Sequence, residues 1–170
     1  MPNTLDDLET EASKSGLILR LQVRRPLNIW TLKLVVAQEL REKKIRIWGE
    51  MKAWAYPGLN GFQLDTMRVN SKAPKGVGAL VWAGSMAWAL ENTPCKKVRL
   101  LAIRDDEKQH AVLVRYFSRR GFHSAREVGS SPLDLPLRMV WGGAGSLMVG
   151  DCKEILLINQ NFWNSSNSNS

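Results

Sequence analysis

The chain is poor in the residues that metal and thiol chemistry need: its 170 residues include two cysteines and two histidines. Cys95 and Cys152 lack C-x-x-C spacing and have no histidine cluster near them, so no zinc-ligand pattern is present and both thiols read as reduced and structural. No apolar run approaches the ~20 residues that span a bilayer. The opening segment, acidic through Asp6, Asp7, Glu9 and Glu11, lacks the basic-then-apolar order of a secretory signal. There is no internal repeat, no G-K-[ST] ending of a P-loop and no three-glycine dinucleotide fingerprint. The expectation is a cytoplasmic protein with no membrane span and no metal.

The composition is that of a globular domain, with 44% hydrophobic and 24% charged residues. At this length one domain with a substantial core is expected. We divide the chain into a flexible acidic segment (1–14), a domain (15–160) and a disordered Asn/Ser tail (161–170). The formal net charge is +8, and Arg20 to Lys52 holds nine Lys/Arg against three Glu. Such a surface attracts nucleic acid, an acidic protein or a polyphosphate cofactor, or is simply a solvated face. A protein partner fits better than nucleic acid, because the segment shows no RNA-binding motif and no arranged stacking platform.

Periodicity gives the elements. Gly16 to Val23 reads as a strand ended by Arg24-Arg25-Pro26. Asn28 to Lys44 reads as a helix, with Asn28 as N-cap and Leu32, Val35, Val36 and Leu40 as its stripe. Ile45 to Tyr56 reads as a strand with a bulge or turn at Gly49, and Pro57 to Gly61 as a turn. Phe62 to Val69 alternates as a strand. A polar loop, Asn70 to Lys75, leads through Gly76-Val77-Gly78 into an apolar helix reaching about Glu91, stopped by Asn92-Thr93-Pro94. A buried-type strand (Lys97 to Ile103), a helix (Asp105 to Arg120) ended by Gly121 as C′ glycine, strands at Phe122 to Val128 and Leu135 to Trp141, and a further strand after Gly145 complete the order. The fold class is α/β: a mixed, mostly antiparallel twisted sheet flanked by helices. Trp82 and Trp88 read as core. Trp48, Trp54 and Trp141 stand on strands, where packing, an acceptor groove or an interface are all open.

The sequence K-x-x-K-G-V-G-A-L between a strand and a helix is an anion-binding device. Glycine brings backbone N–H groups close to a phosphate, the helix N-terminus favours negative charge, and Lys72 and Lys75 stand by to add charge-assisted contacts. The same two glycines would also serve close helix–strand packing.

From Phe62 to Trp141, about half the chain, this pattern resembles the GNAT superfamily of acyl-CoA N-acyltransferases. That family carries Arg/Gln-x-x-Gly-x-Gly/Ala at a helix start and, about forty residues later, a helix with Asn-x-x-Ala-x-x-Leu-Tyr ending in Gly-Phe. The stretch DLPLRMVWGGAG further resembles uncharacterised GNAT-like proteins of cyanobacteria and plastids. The resemblance implies a GNAT-like fold and acetyl-CoA as co-substrate. Lys75, Gly76, Val77, Gly78 and Ala79 would hold its pyrophosphate, and Met67, Arg68 and Val69 would pair with the pantetheine amides as an open strand edge. His110 falls at the family's Asn, Leu113 at its Ala and Tyr116 at its Leu. Phe117 falls at the Tyr that serves as general acid, and Ala73 at the Arg or Gln. Phe117 has no proton to give, so the catalytic candidates are Tyr116 as acid, Glu50 as base beside the Trp48-Gly49 break, and His110 near the cofactor arm. The implied activity is acetyl transfer from CoA to an amine; the alternative is a catalytically silent relative that recognises a protein.

Overall fold

The two-residue period of burial along the first half of the chain makes strands, and the wholly apolar middle segment makes a helix. The computed structural model describes residues 3–103, 107–128 and 145–168. The elements are α1 (Leu5–Lys14), β1 (Ile18–Arg24), β2 (Trp30–Glu39), β3 (Ile45–Ala55), β4 (Phe62–Val69), α2 (Val77–Asn92), β5 (Lys97–Ile103), α3 (Glu107–Arg119), β6 (Phe122–Val128), β7 (Gly145–Asp151) and α4 (Cys152–Asn167). The strands form one mixed sheet in the order β1-β2-β3-β4-β5-β7-β6. Its pairs are antiparallel except β4 with β5. The expected strand Leu135 to Trp141 and the DLPLRMVWGGAG stretch up to Ala144 lie outside the described residues. No described helix is long and apolar enough to cross a membrane.

One expected helix is a strand. Residues 28–44 hold β2, bracketed by short 3-10 turns at Pro26–Asn28 and Arg41–Lys43. Leu32, Leu34 and Val36 are buried while Thr31 and Lys33 are exposed, a period of two rather than 3.6. The apparent helical stripe fails because Leu40 stays exposed at the strand's end. Central position between β1 and β3 satisfies the backbone of β2 on both sides. The break expected near Gly49 is a bulge: Val36 pairs with Gly49 and Ala37 with Ile47, leaving Trp48 as the extra residue.

Helices run through both the segment expected as flexible (1–14) and the segment expected as a disordered tail (161–170), as Leu5–Lys14 and Cys152–Asn167. Thr4 and Asp7 form a reciprocal capping box on α1, and Leu8 and Ala12 bury its inner face. Asp151 caps α4 by accepting from the Glu154 N–H. Cys152, Ile155, Leu156, Asn159 and Trp163 then form its buried side, and Trp163 Nε1 donates to Glu11 on α1 at 3.2 Å. Every residue of α2 from Ala79 to Ala89 is buried, as expected for a helix apolar all round. It rests on β2, β3 and β4, with α1 and α4 packed on its remaining sides. Trp82 meets Phe117 and Phe122 edge-on at ring-centroid distances of 6.1 and 5.4 Å, which sets α3 beside α2 on the same face of the sheet. Gly121 has φ +109°, the left-handed stop that ends α3.

Candidate functional site

The site grows from two consequences of this topology. The first is the β4–β5 junction. As the parallel pair, these strands share a register only at Phe62↔Val98 and Gln63↔Arg99. Beyond it β4 continues with β3 alone and β5 with β7, so the sheet opens between them. Among the described residues, the backbone of Met67, Arg68 and Val69 therefore has no strand partner on that side. Leu64 to Met67 on β4 and Leu100 and Leu101 on β5 line a cavity of about 100 Å³, with Trp82 and Phe117 completing its wall. Its lining is largely apolar, and Asp65 is exposed at its mouth.

The second is the start of α2. An Asx turn, Asn70 Oδ1 accepting from the Lys72 N–H at 2.9 Å, shapes the loop before it. No side chain caps the helix, which leaves its first N–H groups without intrahelical acceptors. The two glycines have different roles. Gly76 has φ +88°, and a Cβ there would meet Trp163 at 2.9 Å, so it is a packing glycine seated against α4. Gly78 has room for a Cβ, which would make only ordinary contacts with Arg120 Nη2 at 3.8 Å, Val69 Cγ2 at 3.9 Å and Tyr116 Oη at 4.0 Å. The side chains of Val77 and Ala79 are buried in the core, so these residues offer the site only their backbone.

Arg120 is a residue the sequence reasoning missed. It is half-buried, and its Nη1 donates to Asn159 Oδ1 at 2.8 Å. The buried Asn159 in turn donates to the carbonyls of Arg120 and Ile155, at 3.3 and 2.8 Å. The guanidinium also lies over the rings of Tyr116 and Phe162, at 5.2 Å from each centroid. Among the described residues no carboxylate forms an ion pair with it. A cation fixed in this way stands at the α2 N-terminus, near Gly78. The available signal was its position immediately before the helix-ending Gly121.

Tyr116 is half-buried and accepts the Trp82 indole N–H at 3.0 Å, while Phe117 packs edge-on against Tyr116, Trp82 and Phe122. The two adjacent residues divide the site, Phe117 at the cavity and Tyr116 at Gly78. Glu50 stands elsewhere, opposite Arg68 in the β3–β4 register, in a separate depression of about 260 Å³ that also includes Trp48, Val69 and Asn70. His110 is buried, and its Nε2 is 2.9 Å from Ser146 Oγ on β7; it does not line the cavity. Lys72 and Lys75 are exposed. Lys75 lines a cavity of about 540 Å³ together with Lys14, Gln38, Trp163 and Ser166. That space is on the α4 side of Gly76 and away from the β4–β5 opening. The structure thus gathers Val69, Gly78 and Tyr116 with Arg120, sets Met67 and Phe117 at the adjoining cavity, and leaves Glu50 and His110 apart.

Burial, with Cys95 the next cause, pushes the Cys152 thiol up to about 12. Both cysteines are free and buried, which removes them from the chemistry of the site.

No protein-family model matches the chain, and no curated protein matches it. Among solved structures the chain is similar to an uncharacterized protein from Bacillus halodurans, with TM-score 0.46 and 12% identity over 82% of this chain and 66% of that one. It is also similar to the aminoglycoside 6'-N-acetyltransferase from Enterococcus faecium, with TM-score 0.43 and 13% identity over 71% of this chain and 73% of that one. The chain therefore spans slightly less than two thirds of the Bacillus structure's length.

Proposed function

We propose that the chain binds an acyl-CoA thioester, with acetyl-CoA as the simplest candidate, and transfers its acyl group to an amine in the manner of the GNAT acyltransferases that its sequence resembles. The observation that carries this reading is the opening of the β4–β5 pair onto an apolar cavity beside an uncapped helix N-terminus furnished with a fixed arginine. The residues fit such a ligand. The N–H groups of Gly78 and Ala79, the α2 dipole and the Arg120 guanidinium would receive the pyrophosphate, with Lys72 and Lys75 adding charge at longer range. The free edge of Met67, Arg68 and Val69 would supply the backbone partners for the amides of an extended arm. Leu64, Leu100, Trp82 and Phe117 would exclude water around the acyl end.

The bound thioester supplies an activated acyl carbon: an N–C bond forms, the C–S bond breaks, and the amine's proton must leave as the thiolate gains one. Phe117 cannot give that proton. Tyr116 has a proton to donate, because its oxygen accepts from Trp82 and, among the described residues, its own O–H has no acceptor. Glu50 is the proton acceptor in this scheme when the amine enters over Arg68 and Val69. His110, bonded to Ser146, acts as a positioning residue that ties α3 to β7. Thiol release from acetyl-CoA with a panel of amines tests the reading; the expected outcome is amine-dependent release that falls about 10²-fold or more in Tyr116→Phe.

A second reading, a catalytically silent relative that binds a partner, is favoured by one observation. The aromatic residue at the cavity wall is Phe117, which has no proton to give, and the Tyr116 hydroxyl sits 4.0 Å from the Cβ position of Gly78, at the phosphate end. Cofactor binding without turnover for any amine would select it.

A further inference from the structure

The four N-terminal strands bury one face under α1 and α2, and among the described residues no helix packs on their other face. The register there is regular. One cross-strand row reads Arg20, Val35, Glu50, Arg68; the next reads Gln22, Lys33, Lys52, Thr66; the third reads Arg24, Thr31, Trp54, Gln63. Five cations thus share this face with Glu50 as the one carboxylate in the rows. Arg20, Arg24, Lys33, Lys52 and Arg68 are all exposed. Lys33 and Lys52 stand directly opposite one another. Like charges so paired weaken a sheet, and among the described residues neither lysine has a carboxylate partner. The two lysines line a depression of about 270 Å³ with Gln22, Thr31, Trp54 and Asp65. Trp54 and Tyr56, successive same-face residues at the end of β3, are half-buried with ring centroids 6.2 Å apart.

We propose that this open face binds a single-stranded nucleic acid, its phosphates on the Arg20, Lys33, Lys52 and Arg68 side chains and its bases against Trp54 and Tyr56. Cations alone would suit any polyanion, an acidic polypeptide included. The paired rings at the edge of the cationic rows favour a ligand with flat faces to stack, since base–aromatic stacking tolerates any base. A duplex hides those faces. The sequence alone offered no stacking platform because Trp54 meets Lys33 and Thr31 only through the β2–β3 register, and β2 reads as a helix on its own. This surface is on the sheet face opposite α2; it shares Glu50 and Arg68 with the proposed acyl-transfer site, whereas Lys33, Lys52 and Trp54 take no part in that site.

The test is fluorescence anisotropy of the full chain with labelled 15-mers of oligo(dT) and oligo(U), a duplex of equal length and poly-glutamate, over a series of salt concentrations. Micromolar or tighter binding of the single strands at low salt is expected, weakening linearly in log salt. Lys33→Gln with Lys52→Gln should lower the magnitude of that slope by about 1.4, two phosphates at ~0.7 each. Trp54→Leu, which keeps an apolar side chain but removes the ring, should weaken binding roughly 5- to 100-fold with the slope unchanged. Lys43→Gln with Lys44→Gln, on the β2–β3 turn outside the three rows, should change neither. Circular dichroism confirms that each variant is folded. A DNA arm tighter than the RNA arm, or the reverse, identifies which nucleic acid is preferred and supports the proposal. No single-strand binding, equal duplex binding indifferent to Trp54→Leu, or tighter binding of poly-glutamate would each overturn it, the last in favour of an acidic protein partner.

Discussion

The hydroxyl of Tyr116 accepts the indole N–H of Trp82 at 3.0 Å, and through this bond α3 is fastened to α2. Trp82 is fully buried, so the bond is a stability element as well as a feature of the site. In Tyr116→Phe the indole N–H is left without a partner, at a cost of about 1–3 kcal/mol. Urea unfolding should show a lowered midpoint at unchanged slope. Assayed below the midpoint of its own unfolding, the same variant separates lost chemistry from lost fold.

The two loop glycines should respond in opposite ways. Gly76→Ala forces a side chain into φ +88° and against Trp163 at 2.9 Å, destabilising by about 1–2 kcal/mol from the backbone alone. Gly78→Ala meets only ordinary contacts at 3.8–4.0 Å and should be neutral or stabilise by up to ~1 kcal/mol, because alanine is the better helix former. Thermal melts of both variants check the assignment; greater damage from Gly78→Ala would reverse their roles.

Cys152 predicts an alkaline dependence. Its thiol is held up to about 12 by burial and by Cys95, against an ordinary value of 9.0. Between those values the folded chain keeps a proton that the unfolded chain loses. The stability it contributes is complete below pH 9 and is lost as pH rises towards 12, with a slope of up to about 1.4 kcal/mol per pH unit. Unfolding free energies from pH 8 to 10.5 should fall less steeply in Cys152→Ala, and Ellman's reagent should label the native protein's Cys152 only on unfolding.

Trp163 ties the C-terminal helix to the rest of the core. It is fully buried, donates to Glu11 and covers Gly76. Trp163→Ala should cost about 3–5 kcal/mol, measured by denaturant unfolding, and should loosen the loop that begins α2. A loss below 1 kcal/mol would mean that this helix is not part of the cooperative unit.

Much of this was legible in the sequence, and the failures have physical causes. The strand Phe62–Val69, the apolar helix that follows the glycine loop and the Gly121 stop all agree with their local signals, because tertiary contacts there act in the same direction as propensity. At β2 they did not. Val35, lying between the buried Leu34 and Val36, mimics a helical stripe, and only the partners on either side decide for a strand. The terminal helices were hidden by composition, although the Thr4–Asp7 capping box and the Ile155, Asn159, Trp163 spacing were there to be found. In the candidate site, the glycine loop at Gly78 has a local pattern, whereas the edge at Met67 to Val69 was implied only by the family resemblance. Arg120 could not be read, because its approach to Gly78 depends on the buried Asn159 of α4, 39 residues away.

Calorimetric titration of acetyl-CoA into the full chain, into Arg120→Ala and into Gly78→Leu tests the central claim most directly. The account predicts a saturable heat for the parent chain, at least a tenfold weaker affinity in Arg120→Ala from the lost charge-assisted contact, and none in Gly78→Leu, with both variants folded. No heat from the folded parent at millimolar acetyl-CoA, or equal affinity in all three proteins, would contradict it.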